Sequence, residues 1–174
     1  MTEAIDSIER PRVGLLNIGS EAMKGNAQVK AADEYLADAP LNYIGFVEGD
    51  DIYSDKVDVV VCDGFVGNIS LKTAEGVAKL ISDYMKEEFK HGIYNKLAAL
   101  VALPVLNAFK KRIDPRAYNG ASLLGLKGIV IKSHGGADVD AYTNAIEIAV
   151  LEVQKSVPQQ IQEHIQPLLE RQTA

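Results

Sequence analysis

Apolar residues gather in four short runs separated by polar breaks. They are Val13 to Ile18 (VGLLNI), Tyr43 to Val47 (YIGFV), Val57 to Cys62 (VDVVVC) and Gly128 to Lys132 (GIVIK). Each is short and rich in branched aliphatic residues, which predicts buried strands. The segments between them change period. Asn26 to Ala37 places small or apolar residues at Ala27, Val29, Ala31, Ala32 and Tyr35, which predicts a helix with Asn26 as its N-cap. Asn68 to about Phe89 lines up Ile69, Thr73, Gly76, Val77, Leu80, Ile81 and Tyr84 on one face of a long helix. Ala141 to Gln154 spaces Ala145, Ile148, Ala149 and Val153 for burial, and Pro158 starts a last helix. Residues 1–11 read as a lead-in stopped by Pro11. Strands alternating with helices predict an α/β layered domain with a mostly parallel sheet.

One segment does not fit this alternation. Leu97 to Leu106 (LAALVALPVL) has no polar residue, and Lys110, Lys111 and Arg112 follow it, with Arg116 close behind. Pro104 is expected to break it into two short helical pieces. It reads either as core or subunit-interface helix, or as an exposed hairpin that dips into a membrane. In the second case Leu97, Leu100, Val101, Leu103 and Leu106 enter the lipid and the basic cluster meets anionic headgroups.

Composition narrows the function classes. A chain of 174 residues, 47% hydrophobic and 24% charged, can bury a real core. A net charge of -6 argues against generic nucleic-acid binding. The single cysteine leaves no disulfide and no Cys cluster for a metal, so a reducing cytoplasm is expected. The polar start MTEAIDSIERP does not resemble a signal peptide, and no apolar run is expected to approach the roughly 20 residues of a membrane span. Cys62, at the end of an apolar strand, is expected to be buried.

Three strand-end loops carry candidate chemistry: Gly19 to Asn26, Asp63 to Asn68 and Ser133 to Asp138. In α/β sheets ligands sit beyond the carboxyl ends of the strands. Asp63-Gly64, then Gly67-Asn68, reads as a glycine-bearing loop opening a helix, with amides aimed at a phosphate. The bland alternative is that Asp63, Gly64 and Asn68 are only turn and cap residues. Lys24, beside Gly25 and Asn26, is either a point charge for phosphate or a solvated loop lysine. His134, between Ser133 and Gly135, is either a proton handler or a structural loop histidine. No Gly-x-Ser-x-Gly elbow marks Ser133 as a nucleophile. His91 and His164 fall on helix ends or tails and read as surface groups.

Taken together, PRVGLLNIG, KGN, LNYIGFVEG, VDVVVCDGFVGN and DPRAYNGASLLGLKGIVIKSHG resemble the PlsX-type phosphate acyltransferases of bacterial phospholipid synthesis. The resemblance runs from about Pro11 to Val153. It implies a three-layer α/β/α sandwich like isocitrate dehydrogenases and phosphate acetyltransferases, with a protruding helical hairpin at about residues 90–118. It also implies transfer of a fatty acyl group from acyl carrier protein to inorganic phosphate, without a cofactor or metal. The acyl phosphate then feeds a glycerol-3-phosphate acyltransferase. Family members are homodimers that associate peripherally with the membrane from the cytoplasm.

The chain departs from the family in length. The family's Met-Gly-Gly-Asp, Ser-Ala-Gly-Asn-Thr-Gly-Ala and Leu-Asp-Leu-Gly-Ala-Asn motifs have no counterpart here. The expectation is a C-terminal half, with little activity by itself.

Phosphate is the nucleophile in such a transfer, so the site needs to hold a dianion and stabilise an oxyanion. Lys24, Asn68 and His134 are the expected catalytic groups, with Asn26, Asp63, Gly64, Gly67, Ser133 and Gly135 around the substrate. Lys110, Lys111 and Arg112 suit an acidic carrier protein or a membrane. Two rivals follow: a non-catalytic dimerisation and membrane-association fragment, and a phosphate acetyltransferase-like enzyme using coenzyme A thioesters.

Overall fold

The structure is a computed structural model that describes residues 1–114 and 119–172. Arg116 and Tyr118, the first residue of the YNGA motif, lie outside the described residues. In chain order the elements are α1 (Thr2–Asp6), β1 (Arg12–Leu16), α2 (Ala27–Asp38), β2 (Asn42–Val47), β3 (Val59–Val61), α3 (Gly64–Lys90), α4 (Gly92–Arg112), β4 (Ala121–Ser122), β5 (Ile131–Lys132), α5 (Val139–Gln154) and α6 (Val157–Gln172). They fall into two compact units, residues 1–70 with 155–174, and residues 71–154.

The first unit is built on a parallel sheet of order β2-β1-β3. Val13, Leu15 and Leu16 of the central strand are buried, as is Val47 of β2. Gly14 lies between them because Val47 covers its α-carbon, and a Cβ there would lie 2.6 Å from Val47 Cγ1. Between the pairs Val13–Tyr43 and Leu15–Phe46, β2 carries one residue more than β1. Gly45 takes φ 88° at this bulge, a conformation that costs glycine little. Arg12 and Asp58 close the start of the sheet: the Arg12 backbone N–H, Nε and Nη2 all donate to the Asp58 carboxylate at 2.7 to 2.9 Å. This pairing pulls the Asp58 carboxyl down to about 2. Helix α2 joins β1 to β2, with Asn26 as N-cap accepting from Val29 N–H at 2.9 Å. Tyr43 Oη donates to Asp33 Oδ1 at 2.5 Å and ties α2 to β2.

The second unit has a different basis. β4 and β5 are two-residue strands paired antiparallel, Ala121 with Lys132 and Ser122 with Ile131. The expected strand over Gly128 to Lys132 therefore shrinks to Ile131–Lys132 and is not parallel. Gly125, at φ 83°, lies in the turn between the two strands, beyond the hydrogen bond from Leu123 N–H to the Val130 carbonyl at 2.9 Å. Helix α5 backs this pair with small residues: Ala141 and Ala145 are buried. Val153, expected inside, is exposed. Glu152 is buried and accepts a short hydrogen bond from Ser122 Oγ.

Helices α3 and α4 change two expectations. The apolar face of α3, including Ile69, Val77, Leu80 and Tyr84, is exposed, and α3 has no buried residue. Pro104 lies inside one continuous helix, so the break into two short pieces does not form. Proline removes one backbone donor, but the Ala- and Leu-rich turns on both sides favour helix enough to carry it through. The continuous helix also overturns the expectation about length. Gly92–Arg112 is, by length and composition alone, long and apolar enough to cross a membrane.

Candidate functional site

The candidate residues form two clusters, one in each unit. In the first unit, the loops after β1 and β3 leave the carboxyl ends of neighbouring parallel strands, the usual place for a ligand in such sheets. Buried Asn17 organises the loop after β1. Its Oδ1 accepts from Ile18 N–H at 2.9 Å, and its Nδ2 donates to the Lys24 carbonyl at 3.3 Å. Gly25, at φ 93°, packs on the same amide, and a Cβ there would lie 2.6 Å from Asn17 Oδ1. Lys24 folds back over Gly19 and pairs with Glu21 at 2.7 Å. The Glu21 carboxylate raises the Lys24 ammonium above its ordinary value, and Lys24 lowers Glu21 in return.

The expected glycine loop after β3 is not a loop. Helix α3 begins at Gly64, four residues before the predicted start, so Asn68 lies inside it rather than capping it. Asp63 is the cap. Its Oδ1 accepts from Phe65 N–H at 2.9 Å and from Val66 N–H at 3.3 Å, and its carbonyl accepts from Gly67 N–H at 2.8 Å. A carboxylate thus occupies the amides expected to cradle phosphate. An aspartate one residue before a glycine is a strong N-cap, and capping outcompetes an open loop. Gly64 and Gly67 do not take positive φ. Gly67 instead makes room for Cys62, whose Sγ lies 2.8 Å from where a Cβ would be. Cys62 itself is exposed, not buried: β3 ends at Val61, so Cys62 lies beyond the sheet.

The second unit holds Ser133, His134 and Gly135 in the loop between β5 and α5. Asn119, a buried residue that sequence reasoning passed over, brings two of them together. Its Nδ2 donates to Ser133 Oγ at 2.9 Å and to the Ala141 carbonyl at 2.7 Å. Its Oδ1 accepts from His134 N–H at 2.8 Å. Next to it, Gly120 takes φ 122° against α5, and a Cβ there would lie 2.8 Å from Ile148 Cδ1 and 3.0 Å from Ala145 Cα. The exposed His134 ring accepts from Gly136 N–H at Nδ1, 3.1 Å away. A neutral ring in that contact carries its proton on Nε2, so Nε2 is a donor. Asp138 caps α5 through Ala141 N–H at 3.0 Å. Asn17 carried a sequence signal, as a polar residue ending an apolar strand, whereas Asn119 in YNGA carried none for its partners.

The remaining candidates lie on α4. Leu97, Leu100, Val101 and Leu103 are exposed and Leu106 is half-buried. Lys110, Lys111 and Arg112 form its last turn, where the helix dipole favours cations. His91 and His164 are exposed, as expected. No group of three or more metal-binding side chains occurs among the described residues.

Comparison with known proteins matches these features to one family. Residues 1–160 match the family described as fatty acid synthesis protein. A protein named phosphate acyltransferase from Alkalilimnicola ehrlichii is 61% identical over 167 residues, covering 96% of this chain and 49% of that protein. Proteins of the same name from Nitrosococcus oceani and Methylococcus capsulatus are 57% and 60% identical over 97% and 95% of this chain, and 50% and 49% of their own lengths. The chain spans about half the length of the curated relatives it matches. It belongs to the fatty acid synthesis protein family, which includes proteins named phosphate acyltransferase.

Proposed function

We propose that this chain is part of a phosphate acyltransferase that moves a fatty acyl group from acyl carrier protein to inorganic phosphate. The observation that carries this reading is the 61% identity to a protein of that name over 96% of the chain. A phosphate oxygen attacks the thioester carbonyl, and a C–O bond forms. The tetrahedral oxyanion collapses, the C–S bond breaks, and the carrier thiolate leaves to be protonated. Acyl phosphate and free carrier protein result, and a glycerol-3-phosphate acyltransferase can consume the acyl phosphate.

Each residue has a role suited to its surroundings. Lys24 exchanges Glu21 for phosphate, since a dianion outbids one exposed carboxylate. Asn68 offers its side-chain amide from the first turns of α3. His134 donates from Nε2 to the oxyanion, and the Ser133 and Gly135 backbone frames it. Asn26, Asp63, Gly64 and Gly67 shape the loop and helix ends rather than grip phosphate themselves. The full site and the three-layer α/β/α fold are completed by the other half of a full-length protein.

The test is a chimera in which this chain replaces the matching half of the Alkalilimnicola ehrlichii relative. With a long-chain acyl carrier protein thioester and phosphate, it is expected to form acyl phosphate, detected with hydroxylamine. The 174-residue chain alone is expected to show little turnover. A folded chimera that forms none, or that prefers coenzyme A thioesters, overturns the reading.

A second reading concerns α4, whose apolar residues are exposed from Leu97 to Val105 except Ala99 and Ala102. It touches the membrane or pairs across a homodimer, with Lys110, Lys111 and Arg112 near lipid headgroups or the acidic carrier. Sedimentation with anionic liposomes, compared with Leu100→Glu, checks it; unchanged binding removes α4 from that role.

A further inference from the structure

We infer that Asn119 is a positioning residue for acyl transfer, acting through His134. The inference rests on the proposed acyltransferase reading and extends it to a residue that touches no substrate. Asn119 is 9% exposed, both its amide protons are donated, and its Oδ1 accepts one hydrogen bond, giving three partners. Two of them, Ser133 Oγ and His134 N–H, belong to the loop that carries the imidazole. The third, the Ala141 carbonyl, belongs to α5. One planar side chain therefore sets the loop against the helix.

The next contact passes that geometry to the ring. Gly136 N–H donates to His134 Nδ1, two residues along the same loop. That bond exists only while the chain reverses between His134 and Ala137, where Ala137 N–H donates back to the His134 carbonyl at 3.0 Å. Asn119 grips the backbone at His134, the first residue of this reversal. Without that grip the turn loosens, the Gly136 contact weakens, and the ring samples both neutral tautomers. Only the Nε2–H form donates from Nε2, so the cost falls on the transition state rather than on binding.

The strand that leads into the loop, Ile131–Lys132, is two residues long. A strand that short does not fix the direction of the chain leaving it, so the fix comes from a side chain. The same limit explains Gly120, whose positive φ seats the Asn119 segment directly on Ala145.

The test has two arms. In this chain labelled with 15N-histidine, the His134 ring nitrogens are expected to show the wide shift separation of a single neutral tautomer. His134 is assigned by its loss in His134→Gln. Asn119→Ala, and separately Asn119→Asp, whose second oxygen replaces both donors and is repelled by the Ala141 carbonyl so that the side chain leaves His134 N–H, are expected to collapse that separation. In the chimera, Asn119→Ala is expected to lower kcat about 10²-fold with KM for phosphate little changed. Its effect is expected to vanish in a His134→Ala background, because the two act as one unit. An unchanged separation in either folded variant, or an equal further loss of kcat in the His134→Ala background, overturns the inference. If Asn119→Ala does not fold, the isosteric Asn119→Asp decides by the same readouts. A wild-type chimera without activity tells against the acyltransferase reading, while the tautomer arm still tests the positioning.

Discussion

Asn17 in the first unit and Asn119 in the second are both buried beside a polar loop, at 8% and 9% exposure. Asn17 sits at the end of a central strand whose Val13, Leu15 and Leu16 are inside the core. The sheet already fixes where that loop starts, and Asn17 adds one bond to the next residue and one to Lys24. Asn119 has no such strand. Its unit has two-residue strands and a helix packed through Ala141 and Ala145. There the loop is held by a polar network, and hydrophobic burial contributes less. A loop on a buried sheet survives the loss of its asparagine better than one that hangs from it.

The sharpest way to break this contrast is to remove apolar volume in each unit. Leu15→Ala is expected to cost about 3 kcal/mol in urea denaturation, because Leu15 is 3% exposed in a packed strand. Val153→Ala, at 64% exposure, is expected to change stability by less than about 0.5 kcal/mol. Equal losses at the two sites would mean that Val153 is buried and that the second unit leans on apolar packing as much as the first.

The next contrast uses two glycines at positive φ. Gly120→Ala meets both backbone strain and the Ala145 and Ile148 contacts, and is expected to cost about 2 kcal/mol. Gly45→Ala meets strain alone, with nothing within 4 Å of its Cβ, and is expected to cost about 1 kcal/mol. Thermal melts of the two variants check the order.

A smaller effect separates the charges of the two loops. Lys24→Ala in the chimera is expected to raise KM for phosphate about tenfold, with kcat less affected. The opposite pattern would move Lys24 from phosphate binding to the transition state.

The smallest expected effect is on acid stability. Asp58 has its folded pKa depressed to about 2 by Arg12, so its contribution is present above the ordinary carboxylate range and is lost as pH falls through about 2. An Asp58→Asn variant is expected to unfold with a shallower pH dependence between about 4 and 2. Parallel acid titrations of the two proteins check it.

Much of the first unit was legible. Short apolar runs marked β1, β2 and β3, and Asn26 capped α2 where the N-cap preference put it. The misses have local causes. Asp63 captured the helix start because a cap residue outweighs the glycines after it. Pro104 did not break α4 because one missing donor costs less than the flanking helical turns return. GIVIK reads as a full strand by composition, yet strand length depends on a partner, and β4 offers only two residues. His134 stood out as a candidate, whereas Asn119 did not, since nothing local marks which residue a buried amide will bond.

Local patterns were sufficient for what is set by nearest neighbours: element type, caps, the polarity of the loops and the long apolar stretch that became α4. Only the tertiary structure decided which strands pair, that Cys62 faces out, that Lys24 is held by Glu21, and that Asn119 gathers Ser133, His134 and Ala141. Strand pairing and the Asn119 network depend on contacts between residues far apart in the chain, while the Lys24–Glu21 pair and the outward Cys62 depend on how a loop closes on itself, and burial and hydrogen-bond geometry decide both.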